Sequence, residues 1–219
     1  MMRISNLFSL SLCFWSFAIY ADQNSDYENY SISSETSWIK VLIYPDGPLK
    51  HLGHHHVISH QNIRGSVQFA SDLIDSIISL EFAVDEFTVD DYELRMQEGG
   101  DFDGEVPQKD IDGTKQNMLS EKLLSSTEYP NIKIKSKSIE GQFPDYEVHS
   151  VVNIKDRDFN LIFPAKVSYD KKSFVSKGKI NLSHDMLGLT PFSAAGGLLT
   201  VRDLMVVSYK ISGLLIRPN

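Results

Sequence analysis

Between Thr114 and Gly141 the run TKQNMLSEKLLSSTEYPNIKIKSKSIEG changes its hydrophobic period at one point, the Tyr129-Pro130 step. Before it, Met118, Leu119 and Leu123 recur at helical spacing and share a face, and the proline then ends any helix because it lacks an N–H and clashes with the preceding turn. After it, Ile132, Ile134, Ser136 and Ser138 alternate with Lys133, Lys135 and Lys137. One face of that strand is apolar or small, and the other carries its cations in water. The pattern predicts a single short helix near residues 114–126, set against a sheet.

Period-two alternation recurs along most of the chain. Ile39, Val41 and Ile43 follow Trp38, and Pro45-Asp46-Gly47-Pro48 marks a turn. Further strands are read at 54–59 and 63–70, the latter with Phe69. The clearest two-faced segment is 76–85, where Ile78, Leu80 and Phe82 oppose Ser79 and Glu81. Strand character returns at 148–154, 159–169 (Phe159, Leu161, Phe163), 174–183 and 199–211 (Met205, Val207, Tyr209). Small residues at inward positions, Ser136, Ser138, Ser176 and Gly178, leave room that bulky side chains would fill. Many alternating strands with one helix predict an all-β, closed antiparallel barrel of about eight strands, because closure removes exposed sheet edges. Alternation alone does not separate a dry core from a ligand cavity.

Residues 1–21 read as a signal peptide that is removed: Arg3 precedes an uncharged run from Leu7 to Tyr20, shorter than the roughly 18 apolar residues a spanning helix needs. The only cysteine, Cys13, leaves with it, so the exported protein is stabilised by its core without disulfides. Residues 22–36 are polar and read as a loose leader, and residues 37–214 as one domain. The net charge of −8 argues against nucleic acid and against electrostatic adhesion to anionic membranes.

The sharpest chemical signal is His51-Leu52-Gly53-His54-His55-His56, followed by His60. On a strand His54 and His56 share a face about 6.5 to 7 Å apart, a spacing that suits two imidazoles on one metal ion, while His55 points away. A third ligand of the right parity, His60, His149 or His184, is required before a metal site exists, so no metal is assigned. Asp101–Gly104 and Asp110–Gly113 read as turns because neither continues with the ligand spacing of a calcium loop. The pair Asp90-Asp91 reads as solvated. No nucleophile elbow, phosphate loop or dinucleotide fingerprint occurs, and no catalytic residue is assigned.

Leu119, Leu124, Tyr129 and Pro130, with the alternating strand after them, resemble the YceI-like family, as do Leu187-Gly188-Leu189, the Gly-Gly turn and Val201-Arg202-Asp203 near the C-terminus. The Gly53-His54-His55-His56 element is also similar to one found in members of that family. The resemblance implies a lipocalin-like barrel holding an amphiphilic isoprenoid, a quinone or polyprenyl lipid, in the periplasm without catalysis. Its lining would be Ile39, Val41, Ile43, His54, His56, Phe69, Ile78, Leu80, Phe82, Ile132, Ile134, Phe159, Leu161, Phe163, Met205, Val207 and Tyr209. Apart from that lipid no cofactor is expected, transient membrane contact would serve its exchange, and a homodimer is left open. The stretch from Val152 to Asp158 departs from the family by lacking a His and a Gly at a turn. The alternative reading is a periplasmic metal- or stress-related binding protein using His54, His56 and His60.

Overall fold

The computed structural model describes residues 27–170 and 172–217; the expected signal peptide lies outside them. Strands β1 (Tyr27–Ile32), β2 (Trp38–Ile43), β3 (Pro45–Asp46), β4 (His56–His60), β5 (Arg64–Ala70), β6 (Ile77–Ala83) and β7 (Thr88–Val89) come first. Helices α1 (Tyr92–Glu98) and α2 (Gln108–Leu119) follow. The chain then runs through β8 (Asn131–Gln142), β9 (Asp145–Ile154), β10 (Arg157–Tyr169), β11 (Ser173–Ser183), β12 (Ser193–Ala194), β13 (Leu199–Val201) and β14 (Leu204–Leu215).

The main sheet is an eight-stranded antiparallel barrel in which the first three staves are each broken in two. β1 and β2 form one stave, since both pair with β14, Tyr30 opposite Leu215 and Leu42 opposite Val206. β5 and β4 continue the same pairing on the other side, and β6 and β7 repeat it. From there β8, β9, β10, β11 and β14 follow in chain order, and the β1–β14 pairing closes the ring. Thus β1 begins inside the stretch expected to be a loose leader. Its Tyr30 is fully buried among Phe69 and Phe174, with ring centroids 5.0 and 5.5 Å away. Residues 27–32 carry too few apolar side chains to show a strand's periodicity in sequence.

The helices also correct the sequence reading. The helix expected over 114–126 runs instead from Gln108 to Leu119, starting directly after Pro107, which holds the N-cap position with φ −56° and ψ 138°. It stops where Ser120 donates its hydroxyl to Asn117 O, and Ser125 then adopts a left-handed φ of 49°. That reversal turns Leu124 into the core. Asp110–Gly113, read as a turn, is the helix's first half. α1 went unread although its signals are present: Asp91 caps Leu94 N–H at 3.1 Å, and Gly99 ends the helix at φ 67°. It lies on the outside of the barrel, where Leu42, Val57 and Phe102 form a second small core with Tyr44 and Leu94. An ion pair from Lys40 to Glu98 ties it there. All five residues of β4 are buried because both of its faces are covered.

Two irregularities shape the wall. A bulge between Ser136 and Ser138 breaks the parity of β8, so Ile139, and not Ser138 as expected, lines the interior. The β10–β11 ladder covers only residues 166–169 against 174–177. It ends near Pro164, which has no N–H to offer. There the Tyr209 hydroxyl donates to Pro164 O at 2.8 Å, passing over Gly178, where a Cβ would fall 2.5 Å from that hydroxyl. Gly178 therefore makes room for a crossing tyrosine.

The β9–β10 hairpin turns through Lys155 and Asp156, both at φ 53°. A two-residue turn with positive φ at both positions favours Asn-Gly. Replacing Lys155-Asp156 by Asn-Gly should raise the melting temperature by about 2–4 °C, roughly 1 kcal/mol for a chain of this size. Differential scanning calorimetry would show an unchanged or lower midpoint if the turn were not strained.

Candidate functional site

The barrel interior holds two joined cavities. The deeper one, about 220 Å³, is walled by apolar side chains of the staves, including Ile39, Val67, Leu80, Phe82, Val152 and Leu161. The other, about 500 Å³, lies at the end where α2 and the chain after β11 replace strands, and it is lined by His54, His56, Lys109, Asp110, Thr114, Asn117 and His184 as well as apolar residues. Val41, Phe87, Ile132, Ile154, Leu187 and Met205 line both. A volume of 500 Å³ falls within the range of about 300–1,000 Å³ common to small-molecule sites.

The expected lining residues divide clearly. Ile43, His54 and His56 border the mouth cavity; Val41, Ile132 and Met205 border both. Ile39, Phe69, Ile78, Leu80, Phe82, Ile134, Leu161, Phe163, Val207 and Tyr209 border the deep cavity. Phe159 borders neither: it packs against the core under the Arg157 guanidinium, 5.2 Å from its ring. Burial lifts the Tyr209 phenol to about 12, so it is a neutral donor to Pro164 O.

The polar groups of the mouth are organised by Asp90, a residue that reads as solvated in sequence. The Asp90 side chain is completely buried. One carboxylate oxygen sits 2.6 Å from His56 Nδ1, and the other accepts from Arg95 at 2.7 Å and from Val57 N–H at 2.9 Å. Burial alone would raise its pKa, but hydrogen bonds from His56, Val57 and Arg95 outweigh it and hold the carboxyl below its usual range. Asp90 has a φ of 57°, a conformation aspartate tolerates better than most side chains. Arg95 is spent on this task, since its other nitrogen donates to Gly104 O. On the cavity side, His56 Nε2 lies 3.2 Å from Thr114 Oγ1 of α2.

The histidines of the cluster have separate environments. His54 and His56 share a face, their ring centroids 6.2 Å apart, and His54 Nε2 lies 3.3 Å from Asp110 Oδ2. His55 points outward against Tyr44 and Phe102. His60 does not join them. It is buried beside Phe82 and Phe87, its Nε2 donates to Ala83 O at 2.9 Å, and its Nδ1 has no partner. His149 lies elsewhere, against Glu140. Among the described residues no three His, Cys, Asp or Glu side chains converge to hold a metal ion. His184, a candidate third metal ligand from the sequence, lines the mouth cavity with its Nδ1 2.9 Å from Asp203 O.

No family model matches the chain, and no curated protein sequence does. Solved structures do. BcnA of Burkholderia cenocepacia superposes with a TM-score of 0.60 at 11% identity, over 83% of this chain and 98% of that one. The YceI protein of Campylobacter jejuni gives 0.52 at 8% identity, over 73% of this chain and 85% of that one. At such identities the shared property is the fold, and the chain has the lipocalin-like YceI fold.

The buried histidines set a pH dependence. Burial lowers the pKa of His60, with Ala83 O and Glu86 only partly offsetting it, and burial lowers that of His55. The unfolded chain, whose histidines titrate near 6.5, then takes up protons before the folded one does. Stability should be full above that value and fall as the pH drops below it. Melting curves between about pH 7.5 and 5 should show the decline, and His60→Leu should flatten part of it, His55 supplying the rest. A variant with the wild-type slope would remove His60 from this account.

Proposed function

We propose that this YceI-like barrel is an exported, periplasmic carrier or sequestering protein for a long amphiphilic isoprenoid, a quinone or polyprenyl lipid, and that it acts without chemical turnover. The observation that carries the reading is the division of one continuous interior into an apolar floor and a mouth where His54, His56, Lys109, Asp110, Thr114, Asn117 and His184 join the apolar side chains. A prenyl chain supplies roughly 0.8 kcal/mol for each CH₂ it buries, so a few units suffice to hold it, and the head group would remain at the histidine end. Leu52 and Phe192 line that mouth and are 62% and 42% exposed, an apolar rim suited to transient contact with a bilayer in a protein whose net charge is −8. Export rests on the N-terminal apolar run; protein recovered from its native host should begin near Asp22, and intact Met1 in the membrane fraction would refute it.

Organic extraction of protein purified from that host, followed by mass spectrometry, should release an isoprenoid. Leu80, buried on the deep cavity wall, and Glu81, its outward neighbour, provide the control pair. Leu80→Glu should abolish the co-purified lipid, because a carboxylate there costs several kcal/mol or must be protonated. Glu81→Gln should retain it. Both variants are compared only after matching circular dichroism spectra and cooperative melting. A folded Leu80→Glu protein that keeps its lipid, or a wild type that yields none, overturns the carrier reading.

A further inference from the structure

We propose that the outer face of β10, β11 and β14 is a docking surface for an extended acidic segment of a partner protein. The proposal goes beyond the carrier reading and does not depend on what the interior holds. Charge is spread unevenly along this chain. Residues 84–113 carry 11 of the 29 acidic side chains and two of the 21 basic ones, a balance of −9 against −8 for the whole chain. β11 and β14 contain no acidic residue at all. Their inward side chains, Ser176, Leu182, Tyr209 and Ile211 among them, line the cavity, and their outward positions hold Lys177, Lys179 and Lys210.

Strand register aligns these lysines. Lys166 of β10 stands directly opposite Lys177 of β11, and Lys177 directly opposite Lys210 of β14. Three cations therefore form one row across neighbouring strands about 4.8 Å apart. Trp38 of β2, opposite Lys210, ends the row, and Lys179 adds a fourth cation two residues along β11. Like charges directly opposite one another destabilise a sheet, and little relieves them here. Asp145 lies 3.7 Å from Lys166 with both side chains over 70% exposed, and among the described residues no acidic side chain pairs with Lys177, Lys179 or Lys210. An uncompensated cationic row on an otherwise acidic molecule presents a potential complementary to an anionic partner.

Geometry favours an extended chain as that partner. Lys177 and Lys179 share a face about 6.5 to 7 Å apart, the spacing of alternate side chains in any extended strand. A segment laid along β11 with an acidic residue at every second position meets both, and Lys166 and Lys210 flank it on either side. A bilayer fits less well, because the lysines sit on a convex barrel wall and an anionic surface repels the rest of a protein whose net charge is −8. A second copy also fits less well. The acids of residues 84–113 are largely engaged within their own chain, Glu98 with Lys40, Asp90 with Arg95 and His56, and Asp110 beside His54. Lys177 is seven residues from His184 at the mouth, roughly 23 Å along the strand, so a partner docked there leaves the mouth uncovered.

The test titrates isotope-labelled protein starting at Asp22 with a short peptide of alternating Glu and Thr at about 50 mM salt, following backbone amides by NMR. Shifts should concentrate at 175–181 and 206–212, with a dissociation constant of about 0.1–1 mM because exposed ion pairs are individually weak. Lys177→Gln combined with Lys179→Gln and Lys210→Gln should weaken binding about tenfold. Removing the same charge from β8, by Lys133→Gln, Lys135→Gln and Lys137→Gln, should leave it within about twofold. Both triple variants are compared only after matching melting curves. Absence of binding, equal binding of a Gln-Thr peptide, or an equal loss in the two variants overturns the proposal. So does a concentration-dependent dimer in analytical ultracentrifugation, or binding to phosphatidylglycerol vesicles, that the Lys177, Lys179 and Lys210 substitutions abolish, since the face would then belong to a second copy or to a membrane. The carrier reading stands or falls separately, on the extraction of lipid.

Discussion

Everything in the interior depends on β14 accepting two partners on one edge. Its C-terminal half pairs with β1 and its N-terminal half with β2, so the chain's first described strand meets its last, with Ser31 and Leu214 in contact across 183 residues. The other staves are neighbours in sequence and pair locally; this is the one long closure. Loop entropy makes such a closure only slightly more costly than a shorter one, because the cost grows with the logarithm of length. In return the ring closes, with β7 alone keeping an edge that α2 covers, and the inward side chains face each other across an enclosed space. Ser37 reinforces the junction where β1 passes into β2: it is buried, receives Ser212 N–H at 3.0 Å, and donates to Ser212 O.

The barrel departs from a plain cylinder where polar chemistry is needed. Beyond the start of β8 the wall beside β7 is made by α2, not by another strand. A helix presents one face of mixed side chains to a cavity, here Lys109, Asp110, Thr114 and Asn117, whereas a barrel strand would present every second residue only. Holding that mixture in place falls to Asp90. A buried carboxylate is tolerated when its oxygens are fully bonded, and Arg95, Val57 and His56 satisfy both. The same carboxylate orients His56 toward the cavity, so the group that costs most to bury also aims the imidazole of the mouth.

How much of this was readable follows from what each signal depends on. Alternation in 39–43, 78–82, 132–134 and 205–209 depends on one buried face and nothing else, so the staves, their inward sides and most of the lining were legible. β1 was not, because its burial rests on a single tyrosine in a polar stretch, and only the long closure gives it neighbours. The bulge that replaces Ser138 by Ile139 inside the barrel leaves no local trace in a run that alternates evenly on both sides of it. The helix was misplaced because Met118, Leu119 and Leu123 keep helical spacing past the true end; serine hydroxyls competing for the last carbonyls stop it earlier. Asp91 and Gly99 did mark α1, and Pro107 marked the start of α2. The buried role of Asp90 had no such marker, since in sequence it is one of 29 acidic residues, and its partners His56 and Arg95 meet it only in the folded chain.

The two ends of the interior answer different physical problems. Apolar burial is large per unit length but indifferent to chemistry, so an apolar cavity limits how much of a guest can be enclosed and says little about its polar chemistry. Discrimination requires a penalty for the wrong partner, and buried polar groups with fixed donor or acceptor character impose one more sharply than additional apolar contacts can. In this fold that character is fixed twice, by Asp90 behind His56 and by the Asp203 carbonyl behind His184, on opposite sides in sequence of the strands that form most of the wall. Both locks lie outside the cavity they govern. One is a side chain and the other a main-chain carbonyl, so a substitution at Asp90 would free the His56 ring while leaving the apolar floor of the interior in place.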